Sequence, residues 1–332
     1  MKREKCAVLI SVCISLITFS GCATTIKTTM LCPAEVPEAA QLSRIAVLPF
    51  SGPGGDQITV DVEALLVGIR VNDNPPFNVI ERAALKKIVK EQSLHLTGVV
   101  DEKTAVTVGK LAGAEGMVFG TVTQNSTEDS RYSAKRSECV SKDKDGNCTK
   151  QREDKVGCTK RNAYFTFVPK VISVSTGQIL VSQSLSGHTT DDVCQDSGRP
   201  LRSKGPLLSD AKRVALNKFR RLIAPYHTPV EIRLLEKDDT QPSDEAKEKV
   251  ANGIKWAKAG RTDRACELWK EAHQLHAEGY AIPYLLGVCA ELSGRLDHAL
   301  SYYNTADENT SKPVKEINNA LQRVRQKLEK QR

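Results

Sequence analysis

The first group of residues with the types and spacing for chemistry is a glycine cluster, Gly52-Pro53-Gly54-Gly55, set between an apolar run and a helical pattern. A Walker-type phosphate loop ends in Gly-Lys-Ser/Thr, because the lysine meets the terminal phosphates and the hydroxyl meets magnesium. Here Asp56-Gln57 follow, and a dinucleotide fingerprint fails at the same place, its third glycine position being Gln57. Asp56 puts negative charge where a phosphate would sit, yet suits a helix start as a cap. The loop therefore reads as a corner. His273 and His276 lie three apart beside Glu271 and Glu278, a spacing that puts two metal ligands on one helix face, but no third or fourth ligand is evident and solvated histidines are expected. "SKDKDGN" at 141–147 starts like a calcium loop, yet Ser141 holds the first position and Arg152 the twelfth, where a bidentate Glu belongs. No nucleophile elbow, HExxH or acid pair is present. The sequence predicts no catalytic residue, no cofactor, no metal and no enzyme.

The chain's start sets the compartment. Residues 1–21 combine Lys2, Arg3 and Lys5 with an apolar run from Ala7 to Ser20 that is too short to cross a membrane, and they read as a signal peptide. "FSGC" then predicts lipidation at Cys22, with Ala23 favouring the outer membrane, so the expected location is lipid-anchored and facing the periplasm. Losing three bases and one acid takes the formal charge from +8 to +6, too mild for a nucleic-acid partner.

The positioning elements follow from periodicity. Residues 22–42, with Pro33 and Pro37, are expected to be a lipidated tether. "RIAVLPF" is a strand, and Ile58, Val62, Leu65, Leu66 and Ile69 recur at helical spacing behind it, with Asp56 as the cap. A strand at 77–81, helices around Leu85, Ile88 and Val89 and over 104–114, and a strand at 116–124 come next. A strand near 162–174, the turn "STGQ", a strand to about 188, a helix over 208–223 and a last strand "PVEIRLL" complete an α/β domain at 43–238. Helices between the early strands imply parallel pairing there, and the tight turn implies antiparallel pairing later.

"IAVLPF", "FNVIERAALKKIVKEQ" at 77–92, "GKLAGAEGMVFGTVT" at 109–123 and "STGQIL" at 175–180 resemble, in order, the blocks of the CsgG family, the curli secretion-channel lipoproteins. The same fold recurs in the amino-terminal domain of TolB and in LpoB. Glu81-Arg82, Glu91-Gln92, Gly113-Ala114 and Gly120 are the most specific positions. The resemblance implies a mixed sheet flanked by helices in a non-enzymatic envelope lipoprotein. A channel member of this family inserts two hairpins into the membrane, where this chain has residues 129–162 and about 186–206. Transmembrane strands alternate apolar and polar residues. Residues 129–162 instead hold 10 basic and 6 acidic residues, with Tyr132, Val140 and Val156 the sizeable apolar ones, so a water-exposed, basic hairpin arm at about 125–162 is expected.

"AGRTDRA" at 259–265 recurs as "SGRLDHA" at 293–299, an offset of 34 residues, which is the tetratricopeptide period. The offset aligns Gly253 with Gly287 and Ala265 with Ala299. It also aligns Trp269 with Tyr303 and Ala272 with Ala306. Residues 239–332 are thus expected to form an all-α tetratricopeptide-like domain, with a helix from about Pro313 to Lys330 as its cap.

Export to an oxidising compartment makes disulfides expected. Cys6 and Cys13 leave with the signal and Cys22 carries lipid, so seven cysteines remain. If "STGQ" joins an antiparallel pair, Cys158 and Cys194 face each other across it. Cys139 and Cys148 bracket a turn at Asp145-Gly146, which suits a stapled hairpin. Cys266 and Cys289 are placed to join neighbouring repeat helices, leaving Cys32 over. The resulting expectation is an outer-membrane assembly or scaffolding factor that meets an envelope protein through its helical repeats and the membrane through its lipid, with homo-oligomerisation left open. The alternative is a secretion channel subunit for export of fibre or surface proteins.

Overall fold

A computed structural model describes residues 24–71, 73–91 and 100–329. The signal peptide, Cys22 and Gln92 lie outside the described residues. Two compact units result, one of residues 30–228 with 326–329 and one of residues 24–29 with 229–325.

The segment expected to be a tether is instead β1 (Thr25–Cys32) followed by α1 (Pro37–Ala40). Ile26, Met30 and Cys32 are buried while Thr25, Lys27 and Thr29 face water, the alternation of a half-buried strand. Next, β2 (Arg44–Ser51) runs into α2 (Gly55–Gly68), and β3 (Asn78–Val79) precedes α3 (Arg82–Glu91) and α4 (Glu102–Ala112). Asp101 caps α4, its carboxylate accepting from the Thr104 amide at 2.8 Å, and Gly113 closes that helix in the left-handed conformation. Asp56 does not cap α2. The residue before that helix is Gly54, at φ 83°, and Asp56 sits inside the first turn, where its charge suits the helix dipole.

Two long strands follow, β4 (Gly116–Lys142) and β5 (Cys148–Ser173), then the short β6 (Ile179–Ser182) and β7 (Leu185–Cys194), then α5 (Lys204–Ile223). The sheet order is β3-β2-β4-β5-β6, with β7 also on β5. β2 pairs in parallel with β3 and β4, and every pairing of β5 is antiparallel. Along β5 the face alternates: Ala163, Phe165, Phe167 and Val171 join the core under α2 and α5, whereas Ile172 and Val174 join the core under α3 and α4. α5 lies directly on β7 because Gly187 has no side chain; a Cβ there would sit 1.8 Å from the Ala211 carbonyl oxygen.

The strand expected at "PVEIRLL" belongs to β8 (Tyr226–Arg233), which pairs with β1 and not with the main sheet. The division of the chain into units accordingly falls inside β8 and β1, upstream of the polar, proline-marked stretch at 237–247. Helices α6 (Asp244–Lys258), α7 (Thr262–Leu275), α8 (Ala281–Leu292), α9 (Leu296–Glu308) and α10 (Lys315–Glu329) form the second unit's body. Ser243 caps α6 through its hydroxyl.

Candidate functional site

The glycine loop turns a corner against the sheet and has no room for a phosphate. Gly52 and Gly54 have φ of 87° and 83°, the region that favours glycine. A Cβ on Gly52 would lie 2.1 Å from the Val122 carbonyl oxygen, and one on Gly55 the same distance from that of Phe50. Asn125 closes the loop by donating to the Pro53 carbonyl at 3.1 Å.

Beyond the core, β4 and β5 continue as one hairpin arm. β7 flanks its lower part, pairing Cys158 with Cys194 through Phe167 with Leu185 in an unbroken register. The disulfide Cys158–Cys194 closes the end of β7, and Cys139–Cys148 staples the arm's tip, with Cα atoms 5.7 Å apart. At that tip the Asp143 carboxylate accepts from the amides of Asp145 and Asn147 at 3.0 and 2.8 Å, so the loop read against calcium is an Asx-type turn. Cross-strand ion pairs run along the arm: Lys135–Glu153, Arg152–Glu138 and the two-pronged Arg161–Asp129 at 2.7 and 2.6 Å. Asp191 is buried, and Arg199 with the Arg202 amide holds its carboxyl down at about 2.

In the helical unit the eight aligned residues meet as two copies of one contact. A Cβ on Gly253 would lie 2.3 Å from the Trp269 ring, and one on Gly287 2.5 Å from the Tyr303 ring. Each glycine thus admits the aromatic of the next helix, and Ala265, Ala272, Ala299 and Ala306 are fully buried around them. The bridge Cys266–Cys289 ties α7 to α8, with Cα atoms 5.8 Å apart. Cys32 is buried and takes part in none of the bridges.

The two first helices of these pairs differ in exposure. α8 is buried at every residue from Ala281 to Glu291. Tyr284 donates to the Arg233 carbonyl at 2.7 Å, and Glu291, wholly buried, accepts from Arg323 Nε at 2.7 Å and Nη2 at 2.6 Å and from the Tyr303 hydroxyl at 2.9 Å. Burial and this carboxylate push the Tyr303 hydroxyl well above its ordinary range. α6, one repeat earlier, leaves Ala251, Lys255 and Trp256 open to water, and the Arg261 guanidinium lies 5.9 Å from the Trp256 ring centre. By the 34-residue offset, Ala251 corresponds to Leu285 and Trp256 to Ala290, both buried.

The paired histidines do not converge. His276 Nε2 meets the Thr240 hydroxyl at 2.9 Å, while His273 Nδ1 is buried with no hydrogen-bond partner. Among the described residues no group of three His, Cys, Asp or Glu is placed to hold a metal. Asp238 is a residue the sequence reading missed. Burial would raise its carboxyl, but bonds from Thr240 and from the Ala281 amide at 3.0 Å outweigh that and hold it low, so it caps α8 from a distant loop. Glu291 left a signal, a single acid inside the apolar run "AIPYLLGVCAEL". Among the described residues no helix is long and apolar enough to cross a membrane.

Residues 44–195 match the family described as the curli production assembly/transport component CsgG. No curated protein matches the chain. Among solved structures, lipoprotein GNA1162 from Neisseria meningitidis is 14% identical over 53% of this chain and 97% of its own, with a TM-score of 0.31. The LpoB C-terminal domain from Salmonella enterica is 12% identical over 43% of this chain and 81% of its own, at 0.26. The PelC dodecamer from Paraburkholderia phytofirmans is 15% identical over 60% of this chain and 99% of its own, at 0.24.

Proposed function

The chain carries a CsgG-family domain over residues 44–195, and from that premise we propose that it is a non-enzymatic outer-membrane lipoprotein, an assembly or scaffolding factor of the cell envelope. Lipid on Cys22 anchors it, facing the periplasm, and the helical unit, read as a short tetratricopeptide-like module, takes the protein partner. The observation that carries the binding role is the open face of α6. Its Ala251, Lys255 and Trp256 stand where the next repeat buries its own side chains, and an exposed tryptophan under an arginine is the kind of anchor that interfaces use. The second repeat offers no such face, because α8 is enclosed along its length.

A channel subunit is the alternative, since the family's description includes transport. The arm weighs against it. Successive cross-strand pairs put Lys135 with Lys155 on one face and Arg136 with Asp154 on the other, so neither face is fit for lipid.

Two measurements test the proposal. Cys22→Ala should accumulate as unprocessed precursor, whereas the parent protein sediments with membranes and is released by detergent; soluble, normally cleaved mutant protein would remove the anchor. A photo-crosslinker at position 256 should capture one envelope protein in cells, and the same probe at Arg325, exposed on α10, should not. Capture of the same species from both positions would mean that α6 is no specific interface. Stable single-channel conductance in planar bilayers would favour the alternative.

A further inference from the structure

The arm has a cleft of about 840 Å³ on the face shared with α5, where the loop after β7 folds back over the strands. Its floor is two cross-strand rows. One row is Arg131, Thr159 and Val193; the next is Ser133 and Gly157, with Gln195 beside them through its amide bond to the Gly157 carbonyl at 3.0 Å. Gly157 gives the trough its depth, because a Cβ there would reach within 3.3 Å of the Gln195 side chain. Arg199 forms the far wall. Two guanidinium nitrogens bind the Asp191 carboxylate at 2.9 and 3.1 Å, which fixes the side chain in place while leaving about half of it exposed.

The cleft's charge is one-sided. Its lining holds Arg131 and Arg199 and no carboxylate. The same face continues outward to the directly opposed Lys135 and Lys155, of which Lys135 is paired with Glu153, and inward to Arg161, which Asp129 neutralises. Like charges set opposite each other across a strand pair are destabilising, so the arrangement has to be offset by something else in the folded protein or by a bound anion. Between the cations stand the Ser133 and Thr159 hydroxyls and the Gln195 amide, donors and acceptors that suit a polyhydroxyl ligand. An added peptide strand is a poor fit, because the floor is a sheet face whose backbone groups are spent in its own ladders.

We infer that this cleft binds an acidic polysaccharide, its carboxylates meeting Arg131 and the Lys135–Lys155 row and its hydroxyls meeting Ser133, Thr159 and Gln195. Rows two residues apart are about 7 Å apart along a strand, so one chain of uronate sugars lying along the arm reaches several of them. The site lies outside the repeat face on which the scaffolding role rests, and the two stand or fall separately.

The test uses the mature protein and polygalacturonate, with dextran, poly-glutamate and anionic phospholipid vesicles as comparison ligands, followed by calorimetric titration. Polygalacturonate should bind, dextran should not, and binding should weaken as salt screens the cations. Arg131→Gln, at an exposed position, should lower affinity about tenfold, the size of one charge-assisted contact. Gly157→Leu fills the trough without changing charge and should abolish binding even at low salt. Arg213→Gln, on α5 away from the cleft, should leave binding within about twofold, since a distant surface charge acts only through a screened field. The inference is overturned if polygalacturonate does not bind, if the cleft variants bind like the parent, if Arg213→Gln weakens binding as much as Arg131→Gln, or if poly-glutamate or vesicles bind as tightly and are lost in the same variants.

Discussion

The arm and the helical unit hold their shape by opposite means. The arm's outer half has water on both faces and no core, so its order rests on the strand ladder, cross-strand ion pairs and two disulfides. The helical unit relies on close packing, with glycines admitting aromatics, buried alanines and one buried ion pair, and adds a single bridge. Exposed ion pairs contribute little each. The comparison therefore predicts that the arm is lost mainly by cutting covalent links and the helical unit mainly by changing volume or stranding a charge.

The largest effect is expected at the Cys158–Cys194 bridge, which closes a loop of sequence separation 36. Chain-entropy arithmetic gives about 4 kcal/mol for a loop of that length and about 3 kcal/mol for the tip bridge. Cys158→Ala with Cys194→Ala should expose β7 and the arm's base to protease while the helical unit stays intact. Removing Cys139 and Cys148 should fray the tip alone. Cys158 is buried and Cys148 is exposed, so a graded reductant should open the tip bridge first. Peptide mapping under non-reducing conditions reads both, and a stem bridge opening first would break the contrast.

Glu291→Ala should come next. It leaves Arg323 and the Tyr303 hydroxyl without their acceptor, and breaking a buried pair costs about 3 kcal/mol, at the low end because the Arg323 side chain is 30% exposed and can turn to water. Glu291→Ala with Arg323→Met should recover much of the loss, as replacing both charges avoids the stranded one. No recovery in a thermal scan would show the pair is not what holds α10. Smaller again is Ala299→Trp, an overpacking change costing on the order of 1 to 3 kcal/mol. The helical unit should lose protease resistance while residues 30–228 keep theirs, and simultaneous loss of both would show that the two units unfold as one.

Features set by short-range pattern were legible in the sequence. The turn at 175–178 fixes the β5 register, and because side chains alternate strictly along a strand, a one-residue slip would have separated Cys158 from Cys194. The 34-residue offset placed Gly253 against Trp269 in the same way as Gly287 against Tyr303, since a repeated sequence repeats its contacts. What stayed hidden depends on partners far along the chain. β1 reads as a tether because its partner β8 lies about two hundred residues away and nothing local announces it. Asp238 looks like one more loop acid until α8's first turn is placed beside it. The cleft on the arm needs the loop at 195–201 to fold back, which no periodicity encodes.

Opposite pH responses give the mildest test of the contrast. Asp191 in the arm's base has its carboxyl held at about 2 by Arg199 and the Arg202 amide, below the ordinary 3.8. A depressed acid contributes stability that is full above the ordinary value and lost as pH falls through the folded value, so the arm's base should loosen between about pH 4 and pH 2. Tyr303 in the helical unit is shifted the other way: burial, then Glu291, raise its hydroxyl well above 10. A raised group's contribution is full below the ordinary value and lost as pH rises past it, so the helical unit should weaken above about pH 10. The Arg202 amide, which donates to Asp191 at 2.8 Å, reports the first event, and its resonance should titrate near pH 2 in the parent and not in Asp191→Asn. Helical ellipticity reports the second, and Tyr303→Phe should flatten its alkaline fall. Acid loss of the helices at the same pH as the Arg202 shift would mean that the two regions share one stabilising network, and the contrast between them would not hold.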